Sequence, residues 1–215
     1  MPEKNVSTAL RWLPLAGILA AMAVLTWVAP DERTLGAAIK PVYVHVSLTW
    51  TGMLAFLGTG ILGIMVIITG RRKWADELQR LYLIALGAFS GGFLISMLAS
   101  QMTWGGVPLR EPRFLVSLSV LGVSLVTFML VKSAGDHRLG GVFGMIPIIM
   151  IVISFNSSRL ILHPDNPVST APAGIKYTFL GMFFLAILLG LWGWAELRRR
   201  SMQFAPARDL QFSHD

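Results

Sequence analysis

The chain contains no cysteine. That excludes disulfides, thiolate metal sites, iron–sulfur clusters and covalent c-type haem attachment. Charge is scarce as well: Asp, Glu, Lys and Arg make up 13% of the residues, where a soluble domain of this size carries roughly a quarter. No GxxxxGK[ST] run occurs, so the chain does not hydrolyse ATP through a P-loop by itself. Internal repeats and low-complexity segments are also missing. The few charges are unbalanced, with a net charge of +7 and a pI near 10.4. In a chain this apolar the excess reads as Lys and Arg on cytoplasmic membrane loops rather than as a nucleic-acid surface, and no nucleic-acid partner is expected.

Apolar sequence takes the place of charge: 54% of the residues are hydrophobic and the mean hydropathy is +0.66. Six apolar runs stand out, near Trp12–Ala29, Val42–Thr69, Leu81–Met102, Phe114–Val131, Leu139–Phe155 and Tyr177–Leu197. Each is close to the ~20 residues a helix needs to cross the hydrocarbon, and the second is long enough to tilt or project. The first follows Lys4 and Arg11 in the manner of a signal peptide. It is too long for an h-region and no A-x-A site follows, so it reads as a helix. The expectation is an all-α integral membrane protein, a six-transmembrane-helix bundle over residues 1–200 with a short polar tail over 201–215.

Lys and Arg set the orientation. Lys4, Arg11, Arg71, Arg72, Lys73, Arg80, Lys132, Arg138, Arg198, Arg199, Arg200 and Arg208 fall on one side of such a bundle. Arg33, Lys40, Arg110, Arg113, Arg159 and Lys176 fall on the other. The richer side is expected in the cytoplasm, together with both termini. Trp12, Trp74, Trp192 and Trp194 then belong to the inner interface, and Trp27 and Trp104 to the outer one. Gly87 and Gly91 are spaced for close helix contact, and Gly52, Gly60 and Gly63 recur on one face of the second run.

The chemistry-bearing residues concentrate at the outer side. His137 falls in a short cytoplasmic loop and His214 in the tail, both solvated. His45 opens the second run and His163 lies between the fifth and sixth, so topology puts the two at the same depth. Trp104, Arg110, Glu111 and Arg113 follow the third run, and Arg159 precedes His163. Two imidazoles without cysteine suit a haem iron ligated from two sides, and arginines offer forked donors to propionates. Glu111 is expected to pair with Arg110 or Arg113 and hold it in place. Two histidines and a carboxylate also suit zinc, although no HExxH spacing is present. A third reading makes the histidines ordinary helix-end residues and the arginines a solvated cluster.

The stretch Val42–Val46, with His45 inside it and Trp50 after it, resembles the first histidine segment of the cytochrome c assembly membrane protein family. The layout is most similar to the haem-exporter branch of that family, which has six helices and cytoplasmic ends. That branch carries an outer segment of the form WGxxWxWDxRL between its third and fourth helices. Here Trp104-Gly105 begins a segment in the same place, with Glu111 at the Asp position, Arg113 at the Arg and Phe114 at the Leu. Phe155 through Leu162-His163 matches the second histidine segment. Pro108 and Arg110 stand where the family has tryptophans, and Arg159 stands in a normally aromatic stretch.

The resemblance implies haem b held non-covalently at the extracytoplasmic face of the cytoplasmic (inner) membrane. His45 and His163 would be axial ligands, Arg110, Arg113 and Arg159 propionate partners, and Trp104 and Phe114 ring contacts. It implies delivery of haem to an extracytoplasmic haem chaperone or apocytochrome, alongside a permease and an ATPase. The work is binding, orientation and release, and the chain is not expected to be an enzyme. The alternative is a membrane anchor or structural component of a larger respiratory or transport complex, with a permanent haem or none.

Overall fold

The computed structural model describes residues 10–157 and 171–203, with side chains described for 10–154 and 171–201. Among these the chain forms six helices: α1 (Leu13–Val28), α2 (Ile39–Thr69), α3 (Arg72–Trp104), α4 (Pro112–Ser133), α5 (His137–Ser157) and α6 (Ala173–Gln203). Each overlaps one of the six apolar runs. Five are long and apolar enough to cross a membrane, and α1 is a shorter apolar helix. At 16 residues, α1 spans ~24 Å. The chain is a multi-pass helical membrane protein.

Prolines and glycines punctuate the helices where their backbone chemistry allows. Pro112 opens α4, where its missing N–H costs no intrahelical bond. Gly105 (φ +74°) closes α3, its N–H donating to the Gln101 carbonyl. The Trp104-Gly105 pair is therefore a helix stop, since glycine reaches this left-handed geometry without a Cβ clash. Pro147 lies inside α5 and removes one backbone donor. Nearby, the Thr59 hydroxyl of α2 is shared between Phe56 O (2.8 Å) and Gly144 O (3.1 Å), tying α5 to α2.

Two helices run past the apolar runs that predict them. The segment 72–80 is the opening of α3 rather than a loop, and 198–203 continues α6. No breaker interrupts either stretch, and the projecting turns satisfy each other. Glu77 of α3 accepts from Arg80 (2.9 Å) and lies 3.5 Å from Arg198 of α6. Its second oxygen accepts from Trp194 Nε1 (3.0 Å). Trp12 packs on Trp192 with ring centroids 5.1 Å apart. The tryptophans expected at one interface thus gather at one end of the bundle, among Arg11, Arg80 and Arg198–Arg200.

Helix α2 is the axis of the bundle, packed along α3, α5 and α6, with α1 at the periphery against α6 and α2. The small residues of α2 make this possible. A Cβ on Gly63 would sit 2.6 Å from Gly141 O of α5, and one on Gly52 would sit 2.7 Å from Phe89 N of α3. Small residues at such crossings let backbones approach where lipid removes the hydrophobic drive for helix association. On α3 the close contact falls elsewhere than the glycine spacing predicts. Gly87 has open space beside it and Gly91 makes an ordinary contact with Leu48, whereas Gly92 meets the backbone of α2.

At the opposite end the α1–α2 connection folds over the start of α2. Tyr43 is fully buried, donates its hydroxyl to Pro30 O (2.9 Å) and packs edge-on against Phe179 of α6 (4.7 Å). The Glu32 carboxylate accepts from the Thr34 hydroxyl and from the N–H groups of Thr34 (2.8 Å) and Leu35 (2.9 Å). These bonds, the Thr34 hydroxyl first, hold its pKa below the ordinary carboxylate value.

Candidate functional site

The antiparallel order of the helices brings the start of α2, the end of α3 and the start of α4 to one end of the bundle, away from the arginine-rich end. His45, Trp104, Arg110, Glu111, Arg113 and Phe114 all belong to this end. His163 and Arg159 lie outside the described residues.

His45 sits in the second turn of α2 and is half-buried. Its Nδ1 lies 2.8 Å from the Gly92 carbonyl of α3, and Thr49 Oγ1, one turn further along α2, is 3.4 Å from the same nitrogen. A carbonyl only accepts, so Nδ1 carries the proton, and in the neutral ring the lone pair is then on Nε2. This is the state in which an imidazole ligates a metal, its other nitrogen donating to a backbone carbonyl that fixes tautomer and ring orientation. The bond requires the two helices to be very close, and Gly92 provides for that. A Cβ there would lie 2.8 Å from Thr49 N and 3.1 Å from His45 O, and nearer still to Thr49 Oγ1.

Phe93, beside Gly92, packs on Phe114 of α4 with ring centroids 5.2 Å apart and planes at 35°. Phe114 is consequently buried, whereas Trp104 at the end of α3 is 41% exposed. Arg113 is half-buried, and its Nε is buried with no hydrogen-bond partner among the described residues. A guanidinium N–H in that position is unusual, because burying an unsatisfied donor costs roughly 1–3 kcal/mol. Arg110 is exposed. Glu111 is only 3% exposed and precedes Pro112, its carbonyl accepting from Leu115 N at the first turn of α4. The expected pairing of Glu111 with Arg110 or Arg113 is not formed: among the described residues no ion pair joins it to either. Its extended backbone leads into α4.

No three His, Asp or Glu side chains gather at metal-binding distance among the described residues. The residues present suit an iron porphyrin in two respects. One is an imidazole whose Nδ1 is held by a backbone carbonyl, so that the neutral ring would present Nε2 as its basic nitrogen. The other is a half-buried arginine whose buried Nε has no hydrogen-bond partner among the described residues, a donor of the kind that serves a carboxylate. The sequence pattern does not single out Gly92 or Thr49. Thr49 stands four positions after His45, on the same helical face, and that spacing is the one signal the sequence offers.

A comparison with protein-family models and with curated proteins returned no match to the chain.

Proposed function

We propose that the chain is a six-span membrane protein, both termini cytoplasmic, that holds haem b non-covalently at its extracytoplasmic end. The observation that carries this reading is the Nδ1–H bond from His45 to the Gly92 carbonyl. His45 and His163 would be the residues that hold the iron. Arg113 faces a propionate, with Arg110 and Arg159 as further cations and Trp104 as an exposed ring contact. Phe114 acts through Phe93 and thus supports the wall behind the site. Bound haem supplies the iron and its redox chemistry. The protein's part is to bind it, orient it and release it to an extracytoplasmic haem chaperone or apocytochrome, next to a permease and an ATPase. An absorption spectrum of the purified protein tests the reading. Low-spin Soret and α bands are expected, and a featureless visible spectrum after expression with haem supplied would overturn it.

A second reading is favoured by one observation. Pro108 and Arg110 occupy tryptophan positions and Phe114 turns inward, so this segment offers little flat aromatic surface for handing on a ring. The chain would then be a structural component of a larger complex with a permanent haem. Loss of c-type cytochrome maturation in a deletion strain separates the first from the second.

Orientation rests on the twelve Lys and Arg of the richer side against six on the other. Alkaline phosphatase fused after Arg113 or after Pro167 should be active, and after Lys73 inactive. Activity at Lys73 would reverse the topology and move His45 to the cytoplasm.

Arginine is expected to matter more than tryptophan for haem retention. A charge-assisted bond to a propionate contributes roughly 1.5–3 kcal/mol, and an aromatic contact roughly 0.5–1.5 kcal/mol beyond area burial. Arg113→Gln should lower haem content more than Trp104→Ala at equal protein level, with Arg110→Gln between them. Full occupancy in both arginine variants, with loss in Trp104→Ala alone, would reverse that order.

A further inference from the structure

A groove of about 400 Å³ runs between α2, α3 and α6 from mid-bundle to the arginine-rich end. Its length is apolar, with Leu54 and Leu191 half-exposed along its edge. Gly190 of α6 forms part of its wall, 3.3 Å from Ile84 Cγ2 when given a Cβ. The groove ends at Trp74, Trp194 and Glu77. Both Glu77 oxygens are occupied there, one by Arg80 and Arg198 and the other by Trp194 Nε1. With one carboxylate answered by two guanidiniums, positive charge is left over at the mouth. Arg198 is the accessible part of it, its side chain 48% exposed and its guanidinium 5.4 Å from the Trp194 ring centre. Lys73 adds a second cation over the Trp74 ring at 5.3 Å.

An apolar slot between membrane helices, capped by tryptophans and surplus cations, suits an acyl chain carrying a phosphate. We propose that this groove is a binding site for an anionic glycerophospholipid, its acyl chain between α2, α3 and α6 and its phosphate on Arg198, with Lys73 in support. Basic pockets between transmembrane helices are suited to anionic head groups, and cations at this depth add to the attraction. Because Arg198 is itself tied to Glu77, the lipid phosphate would join an existing ion network and bridge α3 to α6. The groove shares no residue with the haem site proposed above.

Native mass spectrometry of the full-length, delipidated protein tests it, titrating dioleoylphosphatidylglycerol against dioleoylphosphatidylcholine. Phosphatidylglycerol should bind more tightly, with one lipid saturating first. Arg198→Gln should weaken it roughly fivefold, the effect of removing one cation near the head group. Lys132→Gln, an exposed cation at the same end of the bundle but on α4, should change it little. Gly190→Leu should block the groove and remove the tight lipid, while Arg198→Gln keeps the proposal testable if that variant fails to fold. Equal affinity for the two lipids, or equal losses in Arg198→Gln and Lys132→Gln, would overturn the site. So would a dimer that Gly190→Leu dissociates while lipid binding stays unchanged, since the groove would then belong to a second copy of the chain.

Discussion

Alanine at Gly63 is expected to destabilise the folded bundle by roughly 1–3 kcal/mol, the range for overpacking a well-filled interior. Alanine at Gly87 is expected to be neutral or to stabilise by up to about 1 kcal/mol. Both substitutions add one methyl group to a helical glycine, so intrinsic helix propensity favours both equally. The difference lies in what the methyl meets. On Gly63 it would stand 2.6 Å from the Gly141 carbonyl oxygen and 2.9 Å from Met145 Cγ, while beside Gly87 nothing lies within 4 Å. Met145 can swing away, but the Gly141 carbonyl belongs to the α5 backbone and moves only if the whole helix does. The reciprocal change, Gly141→Ala, meets Gly63 O at 2.7 Å and should behave alike. Because the two substitutions remove the same approach, their effects should not add. Heating each variant in detergent and scoring the monodisperse fraction by size exclusion gives the order. A Gly63→Ala midpoint at or above that of Gly87→Ala would show that α2 and α5 are not packed backbone to backbone.

Spacing locates the helices, because apolar runs bounded by arginine, glycine and proline leave few places for a helix to begin or end. It does not locate their ends: Arg72–Arg80 and Arg198–Arg200 read as loop charge, yet they form helical turns held by Glu77 and Glu196. Glycine spacing identifies the packed face of α2 correctly through Gly52, Gly60 and Gly63, but points to Gly87 and Gly91 on α3, where Gly92 makes the contact. Adjacent helical residues point about 100° apart, and a run of small residues does not say which of them faces a neighbour. At the candidate site, topology is enough to bring His45 and the segment from Trp104 to Phe114 to one end. The partner of His45 is not legible, because a backbone carbonyl leaves no mark in a pattern of side chains. Burial of the Arg113 Nε is hidden for a related reason, since an arginine next to a helix start ordinarily reads as solvated.

His45→Ala should abolish the low-spin haem spectrum, and Gly92→Ala should weaken haem binding by roughly 10–100-fold with every proposed ligand still in place. The second figure is the usual cost of disturbing the group that orients a ligating histidine. A methyl group on Gly92 would lie 2.8 Å from Thr49 N and 3.1 Å from His45 O. Both are backbone atoms of α2, so relief comes from parting the helices, and parting them stretches the 2.8 Å bond between His45 Nδ1 and Gly92 O. With that bond weakened, the ring is freer to rotate and to exchange its tautomer, and Nε2 is presented less often as a basic nitrogen. Gly91→Ala supplies the control one position away, where the added methyl makes an ordinary 3.6 Å contact with Leu48. Helix propensity, membrane insertion and expression should be alike in the two alanine variants, leaving the approach of α3 to His45 as the difference between them. Haem content would be measured by pyridine haemochrome at equal folded protein, the folded fraction taken from size exclusion. Equal retention in Gly91→Ala and Gly92→Ala would mean that the Gly92 carbonyl does not prepare His45 for iron. Retention of an unaltered spectrum in His45→Ala would remove this histidine from the site altogether. Loss in Gly92→Ala alone among the glycine variants, together with loss in His45→Ala, would tie haem binding to the α2–α3 crossing.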